Sequence, residues 1–286
     1  MDYVVEVDAI GNPQGIVSGT TKITRDPVGL IMAETAVRVI QHSGLLKDGF
    51  SFQTGAGGAS LAAAQFLKEI MVRDRIRGSF ASGGITGYLV DMLNAGCFES
   101  LMDVQCFDLK AVESIRTNPA HQEISAMQYA SPAAASAVVD KLDVVILGAT
   151  EIDTHFNVNV HTDSNGYIMG GSGGHSDTAA GAKLSMIIAP LFRARLPIVT
   201  DHVSCISTPG RDIDVLVTQR GVAVNPKNQE LMQRLKDGGL PVVDINELKQ
   251  IAERITGKPQ KIARSGRKVA NVIYRDGTLI DTIKSV

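Results

Sequence analysis

The 286-residue sequence contains no tryptophan, and aromatic residues make up only 5% of it. That scarcity argues against an aromatic-stacking platform for nucleic-acid bases. Neither sign of charge is in excess: 28 Lys and Arg stand against 30 Asp and Glu, a formal net charge of −2. No whole-chain basic field therefore points to nucleic acid. No uninterrupted apolar run approaches the roughly 18 residues a spanning helix needs, so no membrane partner is expected. The first seven residues carry no basic segment and no signal-peptide core. Cysteine is sparse: Cys97, Cys106 and Cys205 show no CxxC spacing, and three cannot all pair. A reducing, cytoplasmic setting is the expectation.

What is present suits a folded domain with ample core. Residues of the AVILMFWYC set reach 44% and charged residues 20%, which excludes a disordered chain. Residues 3–7, Tyr-Val-Val-Glu-Val, read as a strand with no lead-in. Pro27 after Asp26 predicts a helix start, with apolar residues recurring through Leu30, Ala33, Val37 and Ile40. Strands are expected at residues 50–53, 101–106 and 141–148, with helices at 62–71 and 86–95. Further strands follow at 184–189, 197–203, 215–218 and 222–224, then helices at 229–236 and 245–255. Residues 269–283 read as a hairpin turning at Asp276-Gly277. The sum is one α/β domain with a mixed sheet and strands clustered late.

Four segments could carry chemistry. Residues 53–60 place Gly55, Gly57 and Gly58 between a strand and a helix, where backbone N–H groups suit an anion. The spacing is not GxGxxG and no acidic residue follows about 20 positions on, which argues against a dinucleotide site. The turn binds an anion or acyl group, or only packs helix on sheet. Residues 78–84 end in Gly83 and Gly84 after Ser82, read at a strand-to-helix elbow. The GxSxG pattern is incomplete, so Ser82 reads as a helix cap rather than a nucleophile.

The third segment, residues 151–161, crowds Glu151, Asp153, His155, Asn157, Asn159 and His161. The six-residue separation of its histidines matches neither HExxH nor HxH, so no metal is expected there. Extended backbone would put Asn157, Asn159 and His161 on one face, toward a pocket or toward solvent. The fourth is Gly170-Gly171-Ser172-Gly173-Gly174-His175-Ser176-Asp177. Four glycines in five residues are entropically costly, and the flanks are apolar and helix-like, so an ordered ligand loop is expected. His175 is either a donor or acid–base group, or a cap. Arg193 and Arg195, and the basic positions Lys258, Lys261, Arg264, Arg267 and Lys268, read as anion contacts or as solvated and ion-paired surface.

Several of these segments, with residues 22–27 (Lys-Ile-Thr-Arg-Asp-Pro), 148–153 (Gly-Ala-Thr-Glu-Ile-Asp) and 217–226, resemble the α chains of bacterial citrate lyases. The resemblance covers essentially the whole chain. It implies a CoA-transferase-like fold of the sugar-phosphate isomerase/CoA-transferase type, with a mixed, mostly parallel sheet flanked by helices. It implies a single domain, residues 1–286, forming the C-terminal half of a longer chain. The activity implied is a citrate CoA-transferase that exchanges acetyl for citryl on an acyl-carrier thiol through a mixed anhydride. The implied partners are citrate, an acetyl thioester, and the carrier (γ) and lyase (β) subunits, in an oligomer. No tightly bound cofactor is implied; CoA, or the CoA-derived prosthetic group of the carrier, is substrate.

The wider group, acetyl-CoA hydrolases and 4-hydroxybutyrate CoA-transferases, uses a nucleophilic Glu in a segment aligning with residues 81–87. Ser82 stands in its place, which argues against a covalent glutamyl route. On this reading Glu151 and His175 serve catalysis. Gly55, Gly57, Gly58, Gly83, Gly84, Asn157, Asn159, His161, Gly171, Gly173, Gly174 and Asp177 bind substrate or thioester. The two Gly-rich turns are expected to share one cleft. The competing readings are a thioester hydrolase with Glu151 or His175 as base, and a binding domain inactive alone.

Overall fold

The computed structural model describes residues 3–12, 21–259 and 266–285. The first part of the chain alternates helix and strand: α1 (Pro27–His42), β1 (Ser51–Thr54), α2 (Gly58–Asp74), β2 (Gly78–Ile85), α3 (Gly87–Asn94), β3 (Phe98–Cys106), α4 (Leu109–Thr117) and β4 (His121–Glu123). The middle holds α5 (Ala126–Ala130), β5 (Val144–Leu147), β6 (Glu151–Asp153), β7 (Val158–Asn159), α6 (His175–Gly181) and β8 (Leu184–Ile188). Short strands β9 (Phe192–Arg193), β10 (Leu196–Pro197) and β11 (Val199–Thr200) precede β12 (Val215–Thr218) and β13 (Gly221–Val224). Helices α7 (Gln229–Asp237) and α8 (Ile245–Thr256) and the hairpin β14 (Lys268–Ile273) and β15 (Leu279–Lys284) complete it.

The main sheet has the order β13-β12-β8-β5-β1-β2-β3-β4. Every neighbouring pair is parallel except β12–β13. Parallel central strands are covered on both faces and read as unbroken apolar runs. Alternate residues serve the two cores. Val144, Ile146, Met186, Ile188, Val215 and Val217 join the core with residues of α1, α2 and α3. Val145, Leu147, Ile187 and Leu216 join the opposite core with residues of α6 and α8. A second sheet, β11-β6-β7, packs on that side, with Ile152, Val158 and Val199 in its core. Phe50, Phe52 and Phe98 stack on one another within the core shared with α1, α2 and α3.

Helix α1 starts where Asp26 and Pro27 indicate. The Asp26 carboxylate accepts from the Val28 N–H, and proline needs no donor partner at the first position. Residues 3–7, by contrast, form no strand. They are exposed, and no strand among the described residues pairs with them. The expected strand at 197–203 is shorter, split between β10 and β11. Lys261 and Arg264 of the basic run lie outside the described residues. Among those residues, no helix is long and apolar enough to cross a membrane.

Candidate active site

Strand β1 lies between β2 and β5. The chain runs outward from β1 to β4, then returns to place β5 on the other side of β1. Open α/β sheets bind ligands in the crevice beyond the carboxyl ends of two such strands. Residues 55–58 leave β1 at this point and Gly148 leaves β5. The two exits are tied by the Gly55 N–H donating to the Ile146 carbonyl at 3.1 Å.

The side chain of Gln53, next to last in β1, crosses to α5. Its Nε2 donates to Tyr129 Oη at 2.7 Å. Burial pushes the Tyr129 phenol up to about 12. The Tyr129 ring lies against Gly174, where an added Cβ would come within 2.7 Å of its Cε1. The Gly55 turn and the Gly170 loop are thus joined through Gln53 and Tyr129.

Gly174 precedes α6, whose first residue is His175. The ring is buried. Nε2 lies 2.9 Å from the Gly148 carbonyl oxygen, and Nδ1 lies 2.7 Å from Thr208 Oγ1. A carbonyl only accepts, so Nε2 carries the hydrogen and Nδ1 accepts from the hydroxyl. Burial brings the imidazole down to about 4, so it is neutral. Neither ring nitrogen is left to reach an acyl oxygen. His175 holds the loop to the end of β5 instead of donating to substrate. Asp177 faces Arg275 of the C-terminal hairpin at 3.4 Å. Burial raises its carboxyl and the guanidinium opposes that rise.

Glu151 is buried in β6. Its carboxylate accepts from the Ser204 N–H at 2.7 Å, Ser204 Oγ at 3.2 Å and Asn159 Nδ2 at 3.1 Å. Asn159 also accepts from the N–H groups of His161 and Thr162. Asn157 donates to Asp153 and accepts from the Gly210 N–H. The row of Asn157, Asn159 and His161 therefore does not share one face toward a pocket: both amides are spent inside the fold, because β7 spans only Val158–Asn159. His161 alone of the three lines a cavity of about 430 Å³, with Gly170, Gly171, Ser172, Ser176, Ser207 and residues of the hairpin.

Ser207 Oγ accepts from the N–H groups of Val160 (2.9 Å) and His161 (3.2 Å). Its own hydrogen then goes to His161 Nδ1, 2.6 Å away. That leaves Nε2–H as the donor of His161, and burial lowers the pKa of the ring.

Ser82 is at neither an elbow nor a helix cap. It lies inside β2, fully buried, with Oγ donating to the Met102 carbonyl at 3.0 Å. Thr86 holds the N-cap position of α3, and the Asp108 carboxylate accepts from the Gly87 N–H there. Gly83 has φ +100°, where an added Cβ would lie 2.9 Å from Gln53 Cδ. Gly84 lies under the Phe107 ring. Cys97, Cys106 and Cys205 form no disulfide with one another. Burial and the neighbouring Asp103 push Cys106 up to about 12, so it is no thiolate. Arg193 and Arg195 sit exposed on the β9–β10 hairpin.

Two groups of metal-type side chains converge among the described residues: Asp103, Cys106 and His121, and Asp153, His155 and His202. Asp103 already accepts from Cys106, His121 and the Gln105 N–H. Asp153 already accepts from the N–H groups of His155 and Asn157. His155 and His161 do not converge: His155 stacks on His202 while His161 turns to Ser207.

Gln53, Tyr129, Ser207, Thr208 and Arg275 carry the site's contacts but do not stand out in sequence. Gln53 adjoins the Gly55 turn, and that adjacency was the available signal; its partner lies 76 positions on.

Comparison with known proteins bears on this arrangement. The family model described as citrate lyase, alpha subunit, matches residues 1–286. The citrate lyase alpha chain of Klebsiella pneumoniae is 51% identical over 286 residues, covering 100% of this chain and 56% of that protein. The chain spans about half the length of the curated relatives it matches. A solved chain described as an alpha subunit of citrate lyase from Streptococcus mutans, in complex with citrate, superposes with TM-score 0.95 at 48% identity. It covers 100% of this chain and 56% of that one. A 4-hydroxybutyrate CoA-transferase from Porphyromonas gingivalis, 17% identical, gives TM-score 0.52 over 81% of this chain and 57% of that one, and shows the shared fold alone. A CoA-transferase-like α/β fold, a match along every residue and half-identity to named relatives place this chain in the citrate lyase alpha-subunit family.

Proposed function

We propose that this chain is the C-terminal half of a citrate CoA-transferase subunit, exchanging acetyl for citryl on the thiol of an acyl carrier. The observation that carries the reading is the whole-length similarity, at about half identity, to citrate lyase alpha chains. Citrate is the acceptor acid, and the relative solved with citrate supports that choice. The carrier (γ) and lyase (β) subunits are the partners, in a cytoplasmic oligomer. CoA or the carrier's CoA-derived group enters as substrate, not as a resident cofactor.

The chemistry needs no enzyme nucleophile. A citrate carboxylate oxygen attacks the acetyl thioester carbon, the C–S bond breaks, and the thiolate leaves a citric–acetic anhydride. The thiolate, of ordinary pKa about 8–9, then attacks the citryl carbonyl and acetate departs. The protein's tasks are to hold a trianion beside a thioester and to stabilise the oxyanions. The site suits them. Ser82 is locked inside the sheet, Cys106 is protonated, and Glu151 is held by three donors. His175 and Glu151 act as positioning groups, His175 fixing the Gly170 loop and Glu151 fixing β6 to residue 204. His161 presents an N–H in the cavity that Gly170 and Gly171 line.

The test is acetyl-to-citryl exchange by the full-length protein with acetylated carrier and citrate, run beside this chain alone. Exchange by the full-length protein is expected. Release of free acid without an acceptor acid would instead support thioester hydrolysis, and full-length protein that turns over nothing would leave only a binding domain.

A further inference from the structure

Gln53 and Tyr129 form a buried polar pair that the fold does not complete. Gln53 is 8% exposed and its Oε1 has no hydrogen-bond partner among the described residues. With Nε2 donating to Tyr129 Oη at 2.7 Å, the phenol oxygen accepts, and no acceptor among the described residues takes its hydrogen. Turning the amide over makes the phenol donate to Oε1 and leaves the Nε2 hydrogens open. In both orientations the pair keeps donor hydrogens that no described residue takes. Folds pair nearly all such buried groups, and an exception calls for an explanation.

Two further observations point to a ligand. Gln53 is next to last in β1, the strand that lies between β2 and β5, so the pair is held near the carboxyl end of the strand at the switch point where such sheets bind ligands. Two chain segments are also kept bare around it. A Cβ on Gly83 would lie 2.9 Å from Gln53 Cδ, and one on Gly174 would lie 2.7 Å from Tyr129 Cε1. These glycines come from different elements, Gly83 from β2 and Gly174 from the start of α6, and each makes room for one member of the pair.

We propose that Gln53 and Tyr129 together bind the carbonyl oxygen of the acyl thioester, donating hydrogen bonds to the oxyanion that forms on attack. This rests on the acyl-transfer reading above. As the citrate oxygen bonds to the acyl carbon, the carbonyl π pair moves onto oxygen. On collapse the C=O bond re-forms and the C–S pair leaves with sulfur. No proton crosses, so the pair must donate without ionising. A phenol held near 12 does so at neutral pH. Residues so placed act through the transition state, not through citrate binding.

The test uses the full-length protein and an acetyl thioester labelled with ¹³C at the carbonyl. Tyr129→Phe is expected to lower kcat for acetyl-to-citryl exchange by about 10²–10³-fold while KM for citrate stays within about 3-fold. The infrared carbonyl band of the bound thioester is expected at lower frequency in wild type than in Tyr129→Phe. A wild-type rate in a folded Tyr129→Phe variant, or the same band in both, overturns the proposal. If the variant does not fold, the wild-type band decides alone: a frequency equal to that of the thioester in an aprotic solvent overturns it. Wild-type protein that binds the thioester with a lowered band but exchanges nothing counts against the transferase reading and not against this pair.

Discussion

His175 Nε2 lies 2.9 Å from the Gly148 carbonyl oxygen, and that contact fixes which ring nitrogen holds the hydrogen. Thr208 Oγ1, at 2.7 Å, supplies the donor for the other nitrogen. The neutral ring therefore links the end of β5, the start of α6 and the segment around 208. A charged ring would set a second N–H against the hydroxyl inside a buried site.

The first prediction follows from that protonation state. The folded pKa of about 4 lies below the unfolded value near 6.5, so the unfolded chain binds more protons between them. The stability His175 contributes is full above about 6.5 and is lost as pH falls toward 4, by on the order of 3 kcal/mol. Urea unfolding of wild type and His175→Gln across that range checks it. The stability gap between the two is expected to shrink as pH falls. A gap that stays constant contradicts the neutral-ring account.

The histidine also shows what the sequence made legible. The most Gly-rich loop was marked by composition, and His175 stood out beside it. Its role did not, because its partners Gly148 and Thr208 lie 27 and 33 positions away. The alternating layers were easier: the run Val144–Leu147 is apolar at every position because both faces of β5 are covered. Helix α1 was legible for the opposite reason, since Asp26 and Pro27 act locally. Residues 3–7 are rich in valine like a strand, but no edge among the described residues pairs with them. Ser82 lies in a strand and not at a turn, because β2 extends through Gly83 and Gly84 to Ile85, past a point where two glycines suggest a turn. Nothing in the sequence marks Gln53 and Tyr129 as partners, because neither residue type nor spacing signals a pair made only by folding.

Glycine substitutions should separate two kinds of position. Gly174→Ala would press its Cβ onto the Tyr129 ring, and Gly83→Ala adds a positive φ to a clash with Gln53. Each is expected to cost about 1–3 kcal/mol. Gly171→Ala meets nothing within 4 Å and should stay within about 0.5 kcal/mol. Denaturant midpoints of the three variants give the comparison, and equal costs at all three positions would contradict the packing described.

Ser82→Ala should leave transfer within a few-fold of wild type. It removes one buried hydrogen bond to the Met102 carbonyl, worth about 1 kcal/mol in stability. A drop approaching the roughly 10⁶-fold seen when a hydrolase serine is removed would make Ser82 a nucleophile and refute the site as described.

His161 is expected to hold its hydrogen on Nε2 and to titrate below the usual histidine range. Nitrogen-15 shifts of its ring report both properties directly. The Nε2–H tautomer should dominate at neutral pH in wild type and lose that preference in Ser207→Ala, which removes the donor to Nδ1. An Nδ1–H ring in wild type would contradict the geometry.

The central claim is that acyl transfer proceeds by direct attack of the acceptor carboxylate, without a covalent enzyme intermediate. A single turnover of full-length protein with acetylated carrier and citrate labelled with ¹⁸O in its carboxylates tests it. Direct attack puts citrate oxygen into the mixed anhydride, and cleavage at the citryl carbonyl delivers it to acetate. The prediction is ¹⁸O in the acetate released in that first turnover, with none in the protein. Unlabelled acetate, with ¹⁸O found in a protein carboxylate, would show a glutamyl or aspartyl thioester route and contradict the account.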